Sequence, residues 1–507
     1  MPTLEEPKNV LKKSGNISAQ KRAGAYYTPP LVAVSLVGWV VRSVRERLLD
    51  PSCGDGRFIS AHRNSVGIEQ NPVAAQQAME RAPWALVHEG DFFSWAEQTR
   101  ERFEAAGGNP PFIRYQTFNG AVRERALALC SKVGVNFNGL ASSWAPFLVV
   151  AASLLKPRGR MGFVVPAEIG HAPYSAPLLE FLASRFETVH IIAYRKKLFP
   201  DLSEDCWLLY ADGYGGSTNH FRFTALETFE HSAEPPKHFT EVSLREWRHV
   251  WGCRLRPFVL PTEHLQAYAE VVSDLRTRRI RELARVGIGY VTGDNDFFHL
   301  RPSEAKRWRI PAAFLRPTVR KAEFLSGKSL SYETVKKWQQ IDEKVLLLTI
   351  PKHLRNLPKS IEAYLDSEGG HRARTSFKCS TREPWYSVPD VKTPHFFMSY
   401  MSGERANLVR NDAACTCTNS VHAVVFHEPQ NAVPISRAWS HPFVQLSCEL
   451  EGHPLGGGML KLEPSEAGNI AIPPAVVLRN VSKVAVSEAV CKMRAWRHHD
   501  RDSQAVQ

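Results

Sequence analysis

The string Gly108-Asn109-Pro110-Pro111-Phe112 joins residue types that suit one kind of chemistry. An exocyclic amine on an aromatic ring is a poor nucleophile, because its lone pair is delocalised into the ring. It attacks an electrophilic methyl group better when two acceptors draw its hydrogens toward a tetrahedral arrangement. The Asn109 side-chain oxygen and the Pro110 carbonyl are such acceptors. Pro110 and Pro111 hold the loop rigid, since their φ is fixed and neither has an N–H to turn inward. Phe112 offers a stacking face to a base taken out of a nucleic-acid helix. A lone Asn-Pro would read as a loop after a strand; the aromatic that follows and the acids upstream set this one apart.

Those acids end successive apolar runs. Leu48-Leu49-Asp50-Pro51-Ser52-Cys53-Gly54-Asp55-Gly56-Arg57-Phe58 is a strand ending in a carboxylate, then a tight Gly-bearing turn that opens a helix. Gly54 lets the backbone approach a ligand, and a helix N-terminus supplies amide donors. Val66-Gly67-Ile68-Glu69 places a second carboxylate where it can take two ribose hydroxyls. Gly90-Asp91-Phe92-Phe93 ends a third strand; Asp91 can accept from an adenine amino group while Phe92 packs on the ring face. Each acid alone reads as a helix N-cap. Three at successive strand ends of one sheet are better explained by one nucleoside ligand.

These strings resemble the amino-methyltransferases of DNA restriction–modification systems, in the gamma order where cofactor motifs precede the catalytic motif and a target-recognition region. The resemblance covers nearly the whole chain. It implies S-adenosylmethionine as cofactor and methylation of the N6 amino group of a flipped adenine in double-stranded DNA. Gly24-Ala25-Tyr26-Tyr27-Thr28-Pro29-Pro30 matches the N-terminal cofactor motif, which implies that Thr28 lies near the methionine end. Asp50, Gly54, Glu69, Asp91 and Phe92 take cofactor positions, with Asn109 beside them, and Asn109, Pro110, Pro111 and Phe112 take the catalytic ones. Phe147 ends Trp144-Ala145-Pro146-Phe147, where the family has an aromatic-ended cofactor-pocket segment. Phe199, in Leu198-Phe199-Pro200, sits where the family has a second aromatic sandwiching the base, as partner to Phe112. Farther on, the string from Gly287 to Phe298 resembles the opening of the recognition domain, and that from Leu455 to Pro464 a segment near its end. Cytosine N4 methylation uses similar acceptor logic, with Ser usual at the first position. RNA and a protein glutamine are further alternatives, as is a DNA-binding module with an inactive methyltransferase fold. A cognate restriction endonuclease is expected on a separate chain, and a monomer fits a protein carrying its own recognition domain.

The elements that must position these residues are short apolar runs alternating with helices, the mark of a parallel sheet built from strand–helix units. Strands are expected at 47–50, 65–69, 85–89, 160–165, 188–193 and 206–211, with another before Asn109 and buried or amphipathic helices at 141–155 and 177–185. Only a few residues separate Phe58 from Val66, so the first helix must be short. The expected fold is α/β, a Rossmann-like doubly wound sheet over 19–212, followed by a mixed α+β target-recognition domain over 246–497. Gly-rich 212–217 and a Glu-Pro-Pro mark a linker at 213–245. Residues 1–18 and 498–507 read as flexible ends.

Composition agrees with two domains: 507 residues exceed what one core supports, and 43% hydrophobic with 23% charged is ordinary globular usage. The net charge of +13 favours a polyanionic partner. Between 251 and 330, fifteen Lys/Arg stand against eight Asp/Glu. Arg276, Arg278, Arg279 and Arg281, and then Arg301, Lys306, Arg307 and Arg309 around Trp308, are candidate phosphate contacts, against the blander reading of solvated helix faces. Nine cysteines without framework spacing read as reduced thiols of a cytoplasmic protein. Cys415, Cys417, His422, His427 and Cys448 fit no closed zinc site, and no metal is expected. No apolar run reaches the ~20 residues of a membrane span.

Overall fold

Apolar strands with an acid or amide at their ends generate the sheet that carries the site. The computed structural model describes residues 28–499, apart from 140, 201, 203, 355 and 456. The flexible end expected at 1–18, the Gly24–Tyr27 part of the N-terminal motif and positions 500–507 lie outside the described residues. The chain divides into two compact units between Pro261 and Thr262.

The first unit begins with α1 (Pro30–Val40), apolar along most of its length and started by prolines that suit a helix N-terminus. It continues through β1 (Leu48–Asp50), β2 (Ser65–Glu69), α2 (Pro72–Arg81), β3 (Leu86–Glu89), α3 (Phe92–Gln98), β4 (Phe103–Gly108), α4 (Gly120–Lys132) and α5 (Trp144–Ser153). It closes with β5 (Leu155–Pro166), α6 (Ser175–Arg185), β6 (Phe186–Tyr194), β7 (Cys206–Tyr214), β8 (His220–Leu226), β9 (Thr240–Ser243) and α7 (Leu244–His249). These strands form one sheet in the order β3-β2-β1-β4-β5-β7-β6-β8-β9. β1 pairs in parallel with both β2 and β4, so the chain winds outward to β3 and then returns to the other side of β1. That reversal is where ligands bind in doubly wound sheets, outside the carboxyl ends of the strands. β7 enters antiparallel between β5 and β6. α1 packs with Leu48, Ala105, Val164, Ile192 and Leu208 in one core. α5 is buried over Trp144–Ala152, as a helix apolar on all sides must be.

Two expectations need correction. The segment 213–245 is not a linker: β8 pairs in parallel with β6, and β9 pairs with β8, so it completes the sheet. The glycines that suggested a linker make a tight turn, with Gly213 at φ 76° against the Glu187 side chain. The compact unit accordingly runs to Pro261 rather than 212. The Gly-bearing turn after β1 also opens no α-helix; a single 3-10 turn, Ile59–Ala61, stands there.

The second unit is mixed α+β. Its largest sheet has five strands, in the order Ala284–Ile288, Val421–Phe426, Phe396–Ser399, Leu408–Asn411 and Ser329–Leu330. A four-stranded sheet and a three-stranded one, Met401–Ser402 with Met459–Lys461 and His453–Leu455, accompany it. Cys415, Cys417 and Cys448 are buried, and the His422 ring is hydrogen-bonded to the Leu462 carbonyl at 2.6 Å. His498 and His499, expected in the flexible tail, are half-buried, and an ion pair between buried Arg497 and Glu449 (2.8 Å) fixes the helix end before them. Among the described residues, no helix is long and apolar enough to cross a membrane.

Candidate active site

Asp50 ends β1 and is fully buried. Its Oδ1 accepts from the Ser52 N–H at 3.1 Å, whereas Oδ2 has no hydrogen-bond partner among the described residues. Burial pushes the carboxyl up to about 8, and the nearby Glu69 charge adds to this against the Ser52 bond. The turn that follows needs its glycines. Gly54 and Gly56 have φ of 54° and 87°, and a Cβ on Gly56 would lie 2.9 Å from the Ala78 backbone in α2. Without a full helix after the turn, its amide goes elsewhere: Gly54 N donates to Glu69 Oε2 at 2.9 Å. Glu69 Oε1 accepts from Asn71 N at 2.7 Å, so this one carboxylate braces the turn against the start of α2. Each oxygen keeps a second lone pair for a further donor.

Asp91 caps α3, accepting from Ser94 N at 2.8 Å and Ser94 Oγ at 2.7 Å, with Arg125 3.9 Å away. Phe92 is 2% exposed. Its ring stacks on Phe147 with centroids 5.3 Å apart and planes 17° from parallel, while Phe93 meets Phe147 edge-on at 4.7 Å. Two aromatics singled out separately in the sequence thus form one wall. Thr28 is buried, and its carbonyl accepts from Arg57 Nη1 at 2.7 Å. Arg57 also meets Asp55 at 3.1 Å, and Asp55 meets Arg81 at 2.5 Å, which ties the N-terminal motif to the Gly turn and α2.

The loop of Asn109, Pro110, Pro111 and Phe112 leaves β4 directly beside β1, where Leu49 is paired with Ala106. Gly108 lies so close to Asp50 that a Cβ there would meet Oδ1 at 2.5 Å. Ser52 Oγ donates to the Asn109 carbonyl at 3.3 Å. Beyond the prolines, the Ser143 hydroxyl donates to the Pro111 carbonyl and accepts from Ile113 N at 3.0 Å. Phe112 is half-buried against the apolar cluster that contains Phe199, Leu198, Leu202 and Tyr194. The structure therefore brings Asp50, Asn109, Phe112 and Phe199 to one edge of the sheet. Gly108, Ser52, Ser143 and Arg57 escaped sequence reasoning. Only the Gly preceding Asn109 carried any signal, and its cause is a neighbouring strand.

Comparison with known proteins places the chain in a family. Residues 57–199 match the Eco57I restriction-modification methylase family, and residues 254–501 match the C-terminal domain of the Type II methyltransferase M.Eco57I. The chain belongs to this methyltransferase family. It is 18% identical over 478 residues to the Type II methyltransferase M.AccI of Acinetobacter calcoaceticus, covering 90% of this chain and 86% of that protein. It is 22% identical over 478 residues to M.XamI of Xanthomonas campestris pv. amaranthicola, covering 89% and 85%. In fold it is similar to the Type IIL restriction-modification enzyme MmeI, solved in complex with DNA, with TM-score 0.51 and 12% identity over 92% of this chain and 65% of that one.

In the C-terminal unit of the methyltransferase the two basic groups differ. Arg276 is paired with Asp274 at 2.6 Å and Arg278 with Glu282 at 2.6 Å. Arg279 donates to the Asn469 carbonyl at 2.6 Å, and Arg281 to the Asn469 side chain at 2.7 Å. This group is therefore engaged with the protein's own acceptors rather than laid out as a free stripe. Arg301 donates to the Asp342 carbonyl at 2.7 Å. Lys306, Arg307 and Arg309 are exposed, and no carboxylate is within ion-pair reach among the described residues. The string from Gly287 to Phe298 contributes Tyr290, Phe297 and Phe298 to an apolar core. Tyr290 is 2% exposed, its hydroxyl bonded to His299 at 2.8 Å and Thr318 at 2.6 Å, and a Cβ on Gly289 would lie 2.1 Å from the Cys417 carbonyl. Asp294 caps the short helix Asn295–Phe298.

Proposed function

We propose that this Type II restriction–modification methyltransferase transfers a methyl group from S-adenosylmethionine to the N6 amino group of an adenine flipped out of double-stranded DNA. The observation that carries the reading is the seating of Asn109 and Pro110 at the end of β4, in contact through Gly108 with the buried acid that ends β1. On this reading the amine acceptors and one cofactor acid stand together at the sheet's reversal.

The residues present fit the cofactor. Asp50 Oδ2 is a buried polar atom with no protein partner among the described residues, as expected where a polar ligand group would meet it. Thr28 and Asp50 would hold the methionine end, the Gly54 turn would admit the backbone close to it, Glu69 would take the ribose hydroxyls and Asp91 the adenine amine. The Phe92–Phe147 wall would close the apolar side. When bound, S-adenosylmethionine supplies an electrophilic methyl on its sulfonium. The chain's own part is orientation. The Asn109 amide oxygen and the Pro110 carbonyl take the two amine hydrogens, so the nitrogen lone pair points away from the base plane. Neither acceptor is basic, so the proton departs only after transfer has made the nitrogen cationic. Phe112 and Phe199 hold the extruded base by stacking, which offsets part of the cost of unstacking it. The C-terminal unit would read the target, with Lys306, Arg307 and Arg309 on phosphates.

The test is transfer of labelled methyl to unmethylated DNA, followed by hydrolysis to nucleosides. Label in N6-methyladenine supports the reading. Label in N4-methylcytosine would overturn the choice of base, and label in RNA or protein but not DNA would overturn the substrate class.

A further inference from the structure

Ser143 stands at the N-cap of α5, a position where a serine ordinarily turns its hydroxyl onto the helix's own first amides. Here it does not. Its backbone is already helical, with φ −59° and ψ −36°, and its side chain makes no capping bond. The residue is fully buried, and its hydroxyl is spent on the acceptor loop instead. It donates to the Pro111 carbonyl, accepts from Ile113 N at 3.0 Å, and its own N–H donates to the Ile113 carbonyl at 2.9 Å. One residue thus holds both peptide groups that flank Phe112, one by its carbonyl and one by its N–H.

The anchor is itself fixed. Trp144 Nε1 donates to the Tyr174 hydroxyl at 3.0 Å, Ser142 is hydrogen-bonded to the same hydroxyl, and Tyr174 donates to Glu168. All of this lies next to α5, whose apolar sides are buried, so Ser143 cannot drift with the loop. At the loop's other end, Ser52 Oγ reaches the Asn109 carbonyl at 3.3 Å. Two prolines stiffen the chain between these points, but stiffness alone does not aim it; the fixed hydroxyl does.

Resting on the methyl-transfer reading above, we infer that Ser143 is a positioning residue of the reaction: its hydroxyl sets where the Pro110 carbonyl and Phe112 stand relative to the transferred methyl. It touches no substrate and acts through the loop. Its loss therefore shows as turnover rather than affinity.

The experiment uses the full chain with unmethylated DNA and S-adenosylmethionine, comparing wild type, Ser143→Ala, Ser143→Thr and Ser153→Ala. Ser153, at the opposite end of α5, donates within its own helix to the Val150 carbonyl at 2.7 Å and serves as the stability control. The expected result is a kcat lower by about 10- to 100-fold in Ser143→Ala, the scale of loss that an ~1 Å misplacement produces. KM for DNA and Kd for S-adenosylmethionine should stay within about twofold, Ser143→Thr should recover most of the rate, and Ser153→Ala should keep it. Wild-type turnover in Ser143→Ala overturns the inference. So does a loss of rate matched by loss of cofactor affinity, or one shared by Ser143→Thr, since either marks a structural staple only. Should Ser143→Ala not fold, Ser143→Cys keeps the volume with a weaker donor, and the same kcat-against-KM split decides. If wild type itself transfers no methyl, the function reading fails, and that outcome is distinct from active wild type with an unaffected variant.

Discussion

Alanine at Gly108 would bring a methyl group to 2.5 Å from Asp50 Oδ1 and 3.1 Å from its Cγ. Contacts that short do not persist, so the two groups must part by at least ~0.5 Å. Asp50 has little freedom to yield: it is fully buried, with Oδ1 held by the Ser52 amide at 3.1 Å. Gly108 is also in register with Phe163 of β5, which leaves the adjoining Asn109 to absorb most of the shift. Reacting groups misplaced by about 1 Å can lose ~100-fold in rate, so Gly108→Ala should lower single-turnover methyl transfer by about 10- to 100-fold. Overpacking should also lower stability by about 1–3 kcal/mol, which calls for a matched control. Gly162→Ala provides it, because its methyl would meet the α1 side-chain ends Val40 Cγ1 at 2.8 Å and Leu36 Cδ2 at 3.2 Å instead of Asp50. The assay pairs a rapid-quench transfer rate with the thermal unfolding midpoint of each variant. Wild-type rate in folded Gly108→Ala, or an equal loss in Gly162→Ala, would refute the reasoning.

Two further outcomes follow from charge. Asp50 titrates at about 8 in the fold but near ~3.9 once unfolded, so between these values the folded chain keeps a proton that the unfolded chain has released. Stability therefore falls as pH rises through that window, by at most about 1.4 kcal/mol per pH unit. In cofactor-free protein the unfolding midpoint of Asp50→Asn should gain on wild type from pH 5 to pH 8 and then level off; a constant difference would contradict the buried neutral carboxyl. In DNA binding, replacing Lys306, Arg307 and Arg309 by serine should flatten the salt dependence by roughly 0.9 in log–log slope per lost phosphate contact. Replacing Arg276 and Arg278, already paired with Asp274 and Glu282, should change it less; the reverse order would reassign the phosphate surface.

Much of the first unit could be read from the chain. Leu48-Leu49-Asp50, Val66-Gly67-Ile68-Glu69 and the run before Asn109 announce buried strands with polar ends, and all three stand side by side in the sheet. The reading failed where local signals were ambiguous. β8 and the short edge strand β9 are half polar, and a tight turn supplied glycines that looked like a linker. The Gly turn after β1 suggested a helix, yet only one 3-10 turn fits before β2 begins. The helix expected at 141–155 would place Ser143 within its first turn, and only the neighbouring loop reveals how its hydroxyl is used. The string from Gly287 to Phe298, which resembles the opening of a recognition domain, does lie within the matched C-terminal domain. Its Gly289 answers to close backbone approach, and its Tyr290 to a buried hydrogen-bond network.

The most direct test of the central claim is modified-base sequencing of DNA from a methylation-deficient host expressing this chain or its Asn109→Ala variant. The account predicts N6-methyladenine confined to one short motif with wild type and absent with the variant, while the purified variant still binds S-adenosylmethionine. Equal modification by both proteins, or no modified base from soluble, cofactor-binding wild type, would contradict it.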